Sequence, residues 1–223
     1  DHGVTWSVMA GTANFWNVSK VVCDASGNLY VGCNSISNTA GLQRFTKATN
    51  TWTNITPSGL DARVPDLELS STGRFHVICG YYNTAAGSAG YRYTDNPATV
   101  SSGTWTSPAT TFPTQYNVAI ESNGNTLYAL PSNSAWGVPT IYKSTNGGAN
   151  WAATGATPAF TSGQAWYCMA VAIDPNNANN VIVGSLDCYK TTNGGTSWTK
   201  ISEWVGTTGQ YVHADQQIIT WRN

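Results

Sequence analysis

The chain has 223 residues, a formal net charge of −1 and only 9% charged residues, against about 25% in an average soluble protein. It is long enough to bury a sizeable core, and its near-neutral balance excludes the basic footprint that nucleic acid or an anionic membrane surface requires. No apolar run approaches the ~18 residues of a membrane span. Ser, Thr and Asn supply the polarity in place of charge, alongside 10 Trp and 22 Gly, a mixture suited to short strands, frequent turns and a secreted or cell-surface setting. A chain that begins Asp1-His2-Gly3 is expected to have lost an earlier segment.

Trp6, Trp52, Trp105, Trp151 and Trp198 recur at separations of 46, 53, 46 and 47 residues, and such a period is the mark of a repeat architecture. In chain order, each interval opens with two apolar runs joined by a polar turn: 18–23 with 29–32, 67–69 with 75–79, 118–121 with 127–130, and 169–174 with 181–184. The joining turns carry Ser-Gly-Asn, Thr-Gly-Arg, Asn-Gly-Asn and Pro-Asn-Asn, which are hairpin-turn residues. A third strand follows, as at 141–143 and 188–190, then a turn, and the Trp opens a fourth.

Four short antiparallel strands per ~48 residues predict an all-β chain, a β-propeller of four-stranded blades. The expected parts are a partial blade at 1–16, blades at about 17–60, 61–112, 113–160 and 161–205, and a partial blade at 206–223 with strands at 211–215 and 217–221. The incomplete ends predict a partial propeller, completed by the rest of a larger chain or another subunit. Closure of the two ends into a fifth blade is the alternative.

The turns before three of the Trp are alike: Asp1 to Trp6, Ser144 to Trp151 and Thr191 to Trp198. They resemble the Asp-box (BNR repeat), S/T-x-D-x-G-x-x-W, of sialidases, sortilin-type receptors and xyloglucan-hydrolase-like propellers. The run 171–184 is similar to the inner hairpin of the last two groups. The resemblance implies structural roles for Asp1, Gly3, Trp6, Asn146, Gly148, Trp151, Asn193, Gly195 and Trp198. Asn146 and Asn193 replace the acid yet keep a carbonyl acceptor, and Gly148 and Gly195 keep the freedom for positive φ. The box before Trp52 has lost acid and Gly, and the one before Trp105 carries an insertion.

Ligands of a propeller are expected near its axis, where the segments leading into the inner strands converge. These segments supply Trp16, Asn17, Arg63, Tyr116, Asn117, Trp166, Tyr167 and His213 as candidate ligand-binding residues, since rings stack on sugar C–H faces while amides and charges take hydroxyls. Arg63-Val64-Pro65 resembles the Arg-Ile-Pro element of sialidases, but it follows a box here and lacks the expected Arg and Asp downstream. His213-Ala214-Asp215 resembles a His-x-Asp stretch of secreted sortilin-like and hydrolase-like propellers, and its two side chains share one side if the segment is a strand.

Asp66, Glu68 and Asp215 are the candidate catalytic acids, because glycoside hydrolysis usually needs two carboxylates across the scissile bond. Asp24, Glu121 and Asp174 are assigned to hairpin turns, capping backbone N–H groups. The five cysteines form no Cys-x-x-Cys pair, so neither metal nor cofactor is expected. Cys168 and Cys188 lie on facing strands of one hairpin, which leaves a disulfide and buried free thiols both open. Three functions follow as expectations. They are carbohydrate recognition by an extracellular propeller related to glycoside hydrolases, catalysis as part of a polysaccharide-cleaving hydrolase, and a structural or protein-interaction role in a surface assembly.

Overall fold

A computed structural model describes residues 3–35, 40–206 and 209–221. Among these residues, fifteen strands form four antiparallel sheets. The first sheet is β1 (Val18–Cys23), β2 (Leu29–Cys33), β3 (Leu42–Thr46) and β4 (Thr51–Asn54); the second is β5 (Leu67–Leu69), β6 (Phe75–Cys79) and β7 (Gly90–Thr94). The third is β8 (Val118–Asn123), β9 (Thr126–Pro131), β10 (Tyr142–Ser144) and β11 (Ala152–Ala153); the fourth is β12 (Ala170–Asp174), β13 (Asn177–Gly184), β14 (Cys188–Thr191) and β15 (Thr199–Ser202).

Strand order within every sheet is chain order, and the first strands β1, β5, β8 and β12 touch one another in succession. The architecture is therefore that of propeller blades stacked side by side around an axis. Where the second sheet's fourth strand would run, the stretch between β7 and Trp105 is lengthened, and only a Tyr93–Thr106 bridge remains.

The apolar runs decide which strand goes deepest. The second strands β2, β6 and β9 are buried along almost their whole length, β2 against the second sheet and β6 and β9 between two neighbouring sheets. Three cores result, all between sheets. Tyr30, Leu42, Val64, Leu67 and Phe75 join the first to the second. Ile78, Tyr91, Val118, Leu127 and Trp151 join the second to the third. Tyr128, Ile141, Val171 and Val181 join the third to the fourth. At about 1.5–3 kcal/mol for each fully buried large side chain, most of the stabilisation sits at these joins.

The hydrogen-bonding polar residues shape the turns. Asp24 accepts the N–H groups of Ser26 and Asn28, both at 2.9 Å, and Asp174 accepts that of Asn176 at 2.9 Å. Before Trp151, Ser144 Oγ accepts the Gly148 N–H at 2.9 Å while Asn146 Oδ1 accepts that of Asn150 at 2.9 Å. Thr191 and Asn193 repeat this with Gly195 and Ser197, both at 3.0 Å. Gly148 has φ +80°, and a Cβ there would lie 1.8 Å from the Tyr91 hydroxyl, so both conformation and space demand glycine.

The tryptophans differ in what they join. The indole N–H of Trp52 reaches Ala10 O at 3.0 Å, that of Trp105 reaches Ile55 O at 2.8 Å, and that of Trp198 reaches Ala156 O at 3.1 Å. Each ties its fourth-strand position to the connection before it. Trp151 is buried against Phe112 and Tyr91. Trp6 donates to the Gly3 carbonyl of its own turn and stays 88% exposed. Asp1 lies outside the described residues.

One expectation about the chain's path is corrected. Residues 209–221 form no strand, only a bridge from Tyr211 to Glu203. Asp215 has φ +75°, which breaks an extended run, and the segment is held instead by Gln216 N donating to Ser185 O at 2.9 Å and Gln217 Nε2 donating to Tyr167 O at 2.9 Å. Cys168 and Cys188 are free thiols, as are the other three cysteines; Cys168 is bonded with the Ser185 hydroxyl at 3.1 Å.

Candidate functional site

The topology gives the structure two unlike rims. Each inner strand starts at what we term the upper rim and each second strand ends there, so the loop to the third strand lies beside the segment leading into the first. Asn34 N donating to Asn17 O at 2.9 Å closes that arrangement in the first sheet. The lower rim carries the first hairpin turns and the Asn-Gly-Gly turns.

Between the rims, the inner strands β1, β8 and β12, the residues Pro65 and Asp66 just before β5, and residues 217–220 line a cleft of about 530 Å³. Charges project from these otherwise apolar strands. Lys20 comes from β1, Asp66 from the residue before β5, Glu68 from β5 and Glu121 from β8. The Lys20 ammonium lies 3.2 Å from Asp66 Oδ1 and 3.1 Å from Glu68 Oε2. Asp66 also accepts the N–H groups of Leu67 and Ile120, both at 2.8 Å, and Glu68 accepts the Ser122 hydroxyl at 2.7 Å. These two carboxylates therefore tie three sheets together.

Glu121 is different. Its carboxyl has no hydrogen-bond partner among the described residues, and its pKa is raised to about 8 by burial first and then by the negative charge of Glu68, with Lys20 pulling the other way. Burial works against the Lys20 charge, but Asp66, Glu68 and Glu121 together outweigh it and raise the lysine pKa. The cleft thus holds a fixed cation between two bound carboxylates, beside one carboxyl that keeps its proton at neutral pH.

Among the residues singled out from sequence, Asp66, Asn117, Trp166 and Tyr167 line this cleft, with Glu68 bound to the same lysine. Trp166 and Tyr167 stand at its upper mouth, 49% and 51% exposed, with ring centroids 5.3 Å apart. Asn117 Nδ2 donates to Ala165 O at 2.6 Å, fixing the loop that presents them.

The remaining candidates lie outside its walls. Arg63 is bound in a bidentate pair to Asp61 and also to Thr84 Oγ1, so its guanidinium is already occupied. Tyr116 packs on Trp136 and bonds Asn83. Trp16 donates to Ala13 O, and Asn17 takes φ +49° at the turn into β1. His213 is exposed and bonded to the neighbouring Ala214 carbonyl, while Asp215 sits by Cys168. Since 213 and 215 are not on a strand, the shared side expected of them does not exist.

Glu121 is a further correction. It is a strand residue paired with Tyr128, not a turn cap, because β8 continues two residues beyond the expected strand end. Lys20 was also missed, as were Tyr81, Tyr82 and Trp136 of the upper loops. The signal for Lys20 and Glu121 is present in the sequence: a charge inside an apolar strand is conspicuous where charged residues make up only 9% of the chain.

No protein-family profile matches the chain, and no curated protein sequence does. Solved structures do. A GH74 enzyme of Niastella koreensis matches at TM-score 0.58 and 18% identity, over 83% of this chain and 30% of that one. The GH74 xyloglucanase of Xanthomonas campestris matches at TM-score 0.53 and 21% identity, over 81% and 28%. Virginiamycin B lyase of Staphylococcus aureus matches at 0.55 and 13%, over 85% and 57%. The likeness is one of fold, the β-propeller, and the chain spans less than a third of the length of either GH74 enzyme. Among the described residues, no helix is long and apolar enough to cross a membrane.

Proposed function

We propose that the chain is an extracellular propeller of the Asp-box kind, related to glycoside hydrolases, whose axial cleft recognises carbohydrate. The observation that carries the reading is one cleft with two exposed rings at its mouth and a bound polar cluster inside. Trp166 and Tyr167 offer faces for sugar C–H groups, while Lys20, Asp66 and Glu121 offer donors and acceptors for hydroxyls. The fold shared with the GH74 enzymes supports the reading without assigning an activity.

A glycan array, followed by analysis of the hits for released reducing ends, tests it. Binding that is lost in Trp166→Ala supports recognition at this cleft. Silence across the array overturns it in favour of a structural or protein-interaction role.

One observation favours hydrolysis as a second reading. Glu121 holds a proton at neutral pH close to carboxylates bound by Lys20, and carboxyls pushed apart in this way can divide acid and base roles. Release of reducing ends that disappears in Glu121→Gln and in Asp66→Asn would establish it.

A further inference from the structure

Beyond the cleft mouth, the upper rim carries a second group of rings. Tyr81 and Tyr82 belong to the loop between β6 and β7, Trp136 to the loop between β9 and β10, and Tyr116 to the segment leading into β8. Trp136 lies at the centre, with ring centroids 5.6 Å from Tyr82, 6.2 Å from Tyr81 and 5.4 Å from Tyr116.

Three observations set this group apart from ordinary packing. Tyr82 is 61% exposed, so its ring is not there to fill a core. Tyr82, Asn83 and Trp136 have φ of +54°, +59° and +57°, a left-handed backbone that non-glycine residues adopt only when the surroundings hold them. The group is also joined to the cleft, because the Tyr81 hydroxyl donates to Trp166 O at 3.2 Å. Rings thus continue from Tyr82 through Trp136 and Tyr81 to Trp166 and Tyr167, across the loops of three sheets.

The same loops are uncharged. Residues 81–89, 115–117, 132–140 and 161–169 contain no Asp, Glu, Lys or Arg, while amides and hydroxyls such as Asn83 accompany the rings. Arg63, which reaches Thr84 of the first of these loops, is already paired with Asp61, so a polyanion finds no unpaired counter-charge on them, and a protein surface patterned with charge finds little complement.

The geometry points to this rim as an extended binding groove for a neutral polysaccharide chain, laid over Tyr82 and Trp136 and leading into the axial cleft at Trp166. The inference rests on the carbohydrate reading above and specifies the polymer class and its path. Several rings in a row suit a chain of several residues, and each stacked residue adds to the affinity.

The test is calorimetric titration of the whole chain with neutral β-linked di- and hexasaccharides (glucan, mannan and xylan) and with polygalacturonate. The expected result is tighter binding of one neutral hexasaccharide than of its disaccharide, and no binding of polygalacturonate. Tyr82→Ala and Trp136→Ala should each weaken the hexasaccharide about tenfold, the upper range for one ring contact, and leave the disaccharide unchanged. Tyr82 is exposed, so that variant carries the test even if Trp136→Ala does not fold. A hexasaccharide that binds wild type and both variants equally overturns the groove while leaving the cleft reading intact. Preference for polygalacturonate overturns the neutral specificity. Failure of every saccharide to bind wild type overturns the underlying carbohydrate reading.

Discussion

Replacing Glu121 with Gln should give a stability advantage over wild type that grows as the pH rises, by an amount the cleft allows one to work out. The ordinary carboxyl value of 4.5 becomes about 8 in the folded state, through burial and the charge of Glu68. The folded state therefore holds a proton that the unfolded chain releases. Stability linked to this proton is fully present below pH 4.5 and is lost progressively as pH rises through 8. At about 1.4 kcal/mol for each tenfold change in proton affinity, the full displacement bounds the loss at about 5 kcal/mol.

The cleft is open to water and Lys20 is at hand, so about 2–3 kcal/mol is the working figure, lower because solvent screens such interactions. Glutamine keeps the shape and cannot ionise. Urea unfolding of both proteins at pH 5, 7 and 8.5 should give similar stabilities at the first and a widening gap in favour of Glu121→Gln at the others. Parallel profiles, agreeing within about 0.5 kcal/mol throughout, would mean that Glu121 ionises normally and that the cluster does not act as described.

Three further outcomes follow from the same structure. His76 is buried with Nδ1 on the Tyr91 hydroxyl at 2.7 Å, and burial above all depresses its pKa to about 3. Its neutral form favours folding above pH 6.5, and stability falls as the pH drops from there towards 3, by about 2 kcal/mol at pH 5; an acid titration of His76→Gln should lack this component. Gly148→Ala would force a Cβ against the Tyr91 hydroxyl at a φ of +80°, for a loss of about 3 kcal/mol or more, read as a lowered midpoint in thermal unfolding. Trp151→Ala should cost about 3–5 kcal/mol, whereas Trp6→Ala should stay within about 0.5 kcal/mol because that ring is 88% exposed; equal losses in the two variants would contradict the burial argument.

The repeating tryptophans and paired apolar runs were sufficient to read the architecture from sequence, since sheet formation answers to local alternation and turn chemistry. The first two strands of every sheet lie within a few residues of where those runs place them. Partnership was less legible. Arg63 invited a ligand role through a three-residue likeness, yet its partner Asp61 is two residues away. The hairpin turn follows Glu121 so closely that the sequence alone assigns it to a turn cap. Its proximity to Lys20 and Glu68 depends on how β1, β5 and β8 converge, which no local pattern encodes. Residues 211–221 have strand-like composition, but a strand needs a neighbour to pair with, and here that stretch runs past the end of a completed sheet.

The division between the two rims has a consequence for how such a chain can change. Side-chain clamps stand on lower-rim turns, Asp24 and Asp174 at the first turns of the first and fourth sheets, and Ser144–Asn146 and Thr191–Asn193 at the third turns of the third and fourth. The exposed rings stand on upper-rim segments, Tyr82 on the second turn of the second sheet and Trp166 and Tyr167 on the link from the third sheet to the fourth. Folding instructions and surface chemistry therefore alternate along the polypeptide, a few residues of each at a time, while in space they are separated by the full height of a strand. Substitutions at the ring-bearing turns can retune what the upper rim contacts while leaving the clamps below unaltered.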